Sequence, residues 1–146
     1  MNLTSLVPRE SRFKLNQVKD RDFTMRPINL ADELWMEEEF GERLGKIFEE
    51  INIKEISRIV FRLLVDDDKK FFKKREVKIV NEEGDEDKIE LGGVNLLRAL
   101  ISGISDKTGL LESLLENIGL SRPQIKEMGE AGLVLEEEEE KKSLQK

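Results

Sequence analysis

The sequence predicts a mainly α fold: a small helical domain of about five short helices, with a strand-like N-terminal leader and a mid-chain hairpin or flexible loop. Three observations predict it. Apolar residues recur at helical spacing through most of 29–65 and 92–130. Asn29, Asn52, Gly41 and Gly119 stand where helix caps belong. Period-two alternation, the mark of a strand, is confined to short stretches before residue 28 and between 75 and 91.

The leader, 1–28, alternates loosely at Phe13, Leu15 and Val18 and cleanly at Phe23 and Met25. Two strands around a polar turn at Lys19-Asp20-Arg21-Asp22 follow, and such a hairpin needs the helical body or another chain to rest on. The first helical part, 29–65, opens with Asn29 as N-cap and Asp32 as a short capping-box acid. Its first helix runs over Leu30–Phe40 with a wide apolar surface, and Gly41 ends it. Leu44, Ile47, Phe48 and Ile51 then share one face. After a second cap at Asn52, with Glu55 at the third helical position, Ile53, Ile56, Val60, Leu63 and Leu64 form the best core stripe in the chain. Phe61 and Val65 lie off that stripe and require a second neighbour.

Residues 66–91 read as a charged hairpin or loop: a basic half, KKFFKKREVK, precedes an acidic half, NEEGDEDKIE. In 92–130, Gly92-Gly93 breaks the chain before a helix through Val94, Leu97, Leu100, Ile101 and Ile104. Thr108 is placed to cap a further helix through Leu110, Leu111, Leu114, Leu115 and Ile118, which Gly119 ends. Ser121-Arg122-Pro123-Gln124 opens a short helix through Ile125 and Met128, and 131–146 reads as a disordered acidic tail.

Composition narrows the function. With no cysteine and no histidine, disulfides, thiolate nucleophiles, Cys/His zinc sites and a Ser-His-Asp relay are excluded. A net charge of −7 disfavours general nucleic-acid affinity. No apolar run approaches the roughly 18 residues that cross a bilayer, and the N-terminal residues lack the pattern of a signal peptide. A soluble, cytoplasmic protein is expected.

The remaining chemistry is carboxylate chemistry, and it does not converge. Asp66-Asp67-Asp68 are consecutive, so their side chains diverge, and NEEGDEDKIE lacks the order of a calcium loop. Glu37-Glu38-Glu39 spread around a helix. Gly92-Gly93 lacks both phosphate-loop patterns, and no S-x-x-K is present. The expectation is no catalysis, no cofactor and no metal. The break at Gly119 with a cap at Ser121 suits a helix-turn-helix, but the helix that follows offers only Lys126 against Glu127 and Glu130, too little charge for phosphates.

Protein partners are the better expectation. The broad apolar faces around Leu30, Leu34, Trp35, Met36 and Phe40, and around Leu111 and Leu115, are the candidate partner-binding residues. At Phe23-Thr24-Met25-Arg26-Pro27, Leu30-Ala31-Asp32-Glu33, Trp35 and Phe40-Gly41, the chain resembles the tail assembly chaperones of long-tailed bacteriophages. The resemblance covers 23–64, and more loosely 92–123. It implies a helical, non-catalytic protein of the host cell cytoplasm, absent from the mature virion. Such a protein coats the tape-measure protein and keeps it soluble until tail-tube protein polymerises around it. From charge and hydropathy no nucleic-acid or membrane partner is expected, and self-assembly into a homo-oligomer fits the same surfaces. The rival readings are a structural tail or head component retained in the virion and, behind it, a small DNA-binding regulator.

Overall fold

The computed structural model describes residues 8–80 and 82–119. The fold is mixed α/β, which corrects the mainly α expectation: of the described residues, 55% are helical, in six helices, and 23% lie in two small antiparallel sheets. The cause lies in the residues taken for a leader. Strand β1 (Ser11–Leu15) and strand β2 (Val18–Met25) pair antiparallel, and Phe13, Leu15, Phe23 and Met25 are all buried. Alternation delivers every second side chain of β1 to one face, and that face is core rather than surface.

The turn of this hairpin is Asn16-Gln17, earlier than the polar quartet Lys19–Asp22. Those four residues lie inside β2, where the register shifts and Asp20 adopts a left-handed φ of 59°. A bulge needs a residue that tolerates this conformation, and aspartate tolerates it better than most. Polarity therefore marked an irregularity in the strand, not its end.

Helix α1 (Leu30–Glu39) begins with the expected capping box, Asn29 accepting from the Asp32 N–H and Asp32 accepting from the Asn29 N–H. A 3-10 turn at Gly41–Arg43 leads into α2 (Leu44–Glu49). Ile51 then takes a left-handed φ of 51°, ending that helical phase. Helix α3 (Ile53–Leu63), capped by Asn52, is central: Ile56, Ile59, Val60 and Leu63 have no exposed surface. Each fully buried aliphatic side chain of this kind contributes about 1.5–3 kcal/mol. Its off-stripe Phe61 meets the ring of Phe72 at 6.1 Å, the second neighbour that its position requires.

The expected loop at 66–91 holds more structure than its charge implied. Asp66–Phe71 is a short helix, α4, and Phe72 behind it is core. Phe23 packs against Phe13, Phe71 and Phe72 at 5.4, 5.2 and 5.3 Å, joining the first hairpin to this helix. Strands β3 (Arg75–Val80) and β4 (Glu86–Leu91) then form the mid-chain hairpin, the structured alternative of the two expected. Its base is tight: a Cβ at Gly92 would lie 2.9 Å from the Lys74 backbone, which only glycine avoids.

Helix α5 (Gly93–Leu100) stops short of Ile101 and Ile104, which were expected to continue it. Helix α6 (Gly103–Ile118) starts earlier than the Thr108 cap would have it, so Thr108 lies inside the helix. The Asp106 carboxylate accepts from the Ser102 N–H at 2.8 Å and from its hydroxyl at 3.2 Å, satisfying the new N-terminus. Gly119 ends α6 with a φ of 86°, as expected. The short helix through Ile125 and Met128, and the acidic tail, lie outside the described residues. No helix among the described residues is long and apolar enough to cross a membrane.

Candidate functional site

The sequence pointed to two partner-binding faces, and their side chains have separate fates. On α6, Leu111 and Leu115 are 2% and 4% exposed, covered with the rest of that helix by the β1–β2 hairpin and α3. On α1, Met36 and Phe40 are buried as well. Leu30 and Leu34 remain in solvent at 62% and 56% exposure. Trp35 is half-buried.

A helix turns about 100° per residue, so Leu30 and Leu34 stack one turn apart on the pole of α1 that faces away from Met36. Exposed Glu37 and Glu38 flank them. The result is a short apolar stripe with an acidic border. Its apolar atoms make it sticky, and its carboxylates favour a partner helix that carries basic residues beside its own apolar stripe.

The helix is held rigid beneath that stripe. Asp32 is 1% exposed and receives Arg26 through Nη1 at 2.5 Å and Nη2 at 2.9 Å, and Arg62 through Nε at 2.8 Å. Burial by itself pushes the Asp32 carboxyl up, but the hydrogen bonds from Arg26, the Asn29 N–H and Arg62 more than offset this and hold it at about 2. The same bond to Asp32 raises the Arg26 guanidinium. One carboxylate thereby ties the end of β2, the start of α1 and the last turn of α3 together.

Trp35 closes the seam between α1 and α3. Its ring meets Phe40 edge-on at 5.5 Å, with the Arg62 guanidinium 4.9 Å and the Arg58 guanidinium 5.7 Å from its centroid. Arg58 is in turn bound to Glu39 at 2.7 Å and Glu55 at 3.4 Å. From α6, Asn117 donates to the Arg26 carbonyl at 2.8 Å and accepts from the Ile28 N–H at 3.2 Å, fixing the bend at Pro27 that aims α1.

Sequence reasoning found Asp32 as a capping acid but not as a hub, and it missed Arg26, Arg58, Arg62 and Asn117. A signal existed for two of them. Arg58 and Arg62 stand one turn apart on α3, off its apolar stripe, so they share a face suited to an acidic neighbour. Asn117 gave no signal, because its partners are backbone groups distant in sequence.

Other carboxylates are similarly engaged. Asp68, the one buried member of Asp66-Asp67-Asp68, accepts from the Thr24 N–H at 2.6 Å and Arg21 Nη2 at 2.9 Å. Asp106 borders an open cleft of about 430 Å³ beside Arg12, Lys14, Asn16 and Asp22. It is already occupied by Ser102 and by the Asn16 N–H at 3.1 Å, and Lys14 pairs with Asp22 at 3.6 Å. Among the described residues no group of three or more carboxylates is placed to share a metal ion. Comparison with protein-family models, with curated proteins and with solved structures finds no match to this chain.

Proposed function

We propose that this is a non-catalytic binding protein that takes up apolar helical segments of a partner on the outer face of α1. On the resemblance of residues 23–64, it acts as a tail assembly chaperone of a long-tailed phage, with the tape-measure protein as its partner. It works in the host cytoplasm and leaves before the virion is complete; tail-tube protein is a second partner.

The observation that carries the reading is the pair Leu30 and Leu34, exposed at 62% and 56% on a helix whose other large apolar side chains are buried or half-buried. Leucines one turn apart are the anchors by which one amphipathic helix meets another. Each contributes about 1.5–3 kcal/mol when fully covered, so a single copy binds weakly and releases readily. A coat of many copies on one long chain gains avidity without losing that reversibility. Such a balance suits a chaperone that tube subunits must displace. Three of the five buried carboxylates among the described residues, Asp32, Asp68 and Asp106, are engaged in structural hydrogen bonds, which supports a binding role over acid–base chemistry at those positions.

Co-expression with the tape-measure protein tests the reading. The wild-type chain should keep that protein soluble and co-purify with it. L30S/L34S should lose it while retaining the wild-type thermal melt. Recovery of this chain at stoichiometric levels from purified virions would sink the chaperone assignment in favour of a structural tail component.

A further inference from the structure

The β3–β4 hairpin has features that the binding reading does not use. Among the described residues the ribbon has two strands only, so β3 and β4 each keep one edge without a strand partner there. Open edges are usually blunted by proline, a bulge, a covering element or charged side chains. Here six residue pairs run unbroken from Arg75↔Leu91 to Val80↔Glu86, without proline or bulge, and β4 is exposed along nearly its whole length.

The charges on one face are at odds with the hairpin's own register. Glu76 lies opposite Glu90, and Lys78 lies opposite Lys88. Like charges placed directly across a ladder destabilise it. Sliding the pairing by two residues keeps every side chain on its face. It also sets Glu76 against Lys88 and Lys78 against Glu86, two opposite-charge pairs that the chain's own register does not place opposite each other, and keeps a Lys74 beside a Glu90, a pair already made at 3.8 Å within the chain. The other face brings no like charges together in that register, since Arg75 meets Ile89 and Val77 meets Asp87. Within one chain the turn fixes the first register. A β4 strand arriving from another molecule is free to take the second.

We infer that β4 of one copy adds, antiparallel, to the open edge of β3 of a second copy in this shifted register. The β3 edge meets a β4 edge and not another β3, so the contact is head-to-tail. It leaves one free edge at each end, and the assembly grows into a ring or an open filament instead of stopping at a dimer. The inference rests on the hairpin and is independent of what α1 binds.

The test is oligomeric mass by light scattering after gel filtration at low salt, over a wide concentration range. The wild-type chain should run well above the 16.9 kDa of one copy. K74E/K78E should drop to monomer, and so should E86K/E90K, each with an unchanged circular dichroism spectrum. Mixing the two variants in equal amounts should restore assembly, because each supplies the charge that the other has reversed. High salt should weaken the wild-type assembly. A wild-type chain that stays monomeric throughout, variants that remain assembled, or a mixture that stays monomeric overturns the inference. L30S/L34S separates the two surfaces: it should assemble normally, and its dissociation would move the self-contact to α1 and overturn the hairpin assignment.

Discussion

The chain builds the same motif twice and uses it in opposite ways. Both hairpins are two-stranded and antiparallel. The first delivers Phe13, Leu15, Phe23 and Met25 to the core and lies along α6. The second leaves Val80 at 71% and Ile89 at 36% exposure, and Val77 and Leu91 are its half-buried side chains packed against the core. A lone two-stranded ribbon is marginal in water, so what covers a hairpin decides whether it contributes stability. The first is covered by α6 and the aromatic residues around Phe72, and fastened by Asp68 and by the Ser113 hydroxyl donating to the Arg12 carbonyl. The second is fastened at its base by the Gly93 N–H donating to the Phe72 carbonyl at 2.8 Å and by the close approach at Gly92.

The sharpest way to break this comparison is a charge in the first hairpin. Phe23 has no exposed surface and touches three other rings, so Phe23→Asp buries an unpaired carboxylate where water cannot reach it. The expected outcome is loss of the cooperative unfolding transition. A soluble variant with a wild-type melt would show that the first hairpin does not build the core.

The next effect concerns the join between that hairpin and α1. Asp32 has a folded pKa of about 2, below the ordinary carboxylate value, so its stabilisation is present at neutral pH. It is lost as the pH falls from about 5 toward 2, and amounts to about 2–3 kcal/mol. Asp32→Asn should cost about that much in urea unfolding at pH 7, and the two proteins should converge as the pH approaches 2. A pH-independent gap would show that the loss is packing, not charge. Gly92→Ala probes the base of the second hairpin. The added methyl forces Lys74 to move, and the expected loss is about 1–3 kcal/mol. Hydrogen exchange should quicken in β3 and β4 far more than in β1 and β2.

How legible was this in the sequence? Helical stripes were, because the period shows in the residues themselves: α1 with its capping box, α3 and the Gly119 terminus stand where the pattern put them. What covers an apolar face was not. Leu111 and Leu115 look like surplus surface until the first hairpin is laid over them, and nothing local to α6 announces a strand about a hundred residues away. The same blindness hid Phe72, whose flanking lysines made it read as loop. On α1 the wide apolar surface was legible as a whole, but only packing divides it into Met36 and Phe40 inside and Leu30 and Leu34 outside.

The smallest predicted effect is the control that gives the comparison its meaning. Ile89→Asp makes in the second hairpin the same chemical change that Phe23→Asp makes in the first. At 36% exposure Ile89 keeps contact with water, so the new carboxylate stays solvated and no cavity opens in the core. The expected change in unfolding free energy is within about 0.5 kcal/mol, near the scatter for surface substitutions. Chemical denaturation of dilute protein, where copies do not meet, is the measurement to use. If Ile89→Asp costs several kcal/mol there, the second hairpin is covered by its own chain. The contrast between a hairpin that builds the core and one that faces outward then collapses.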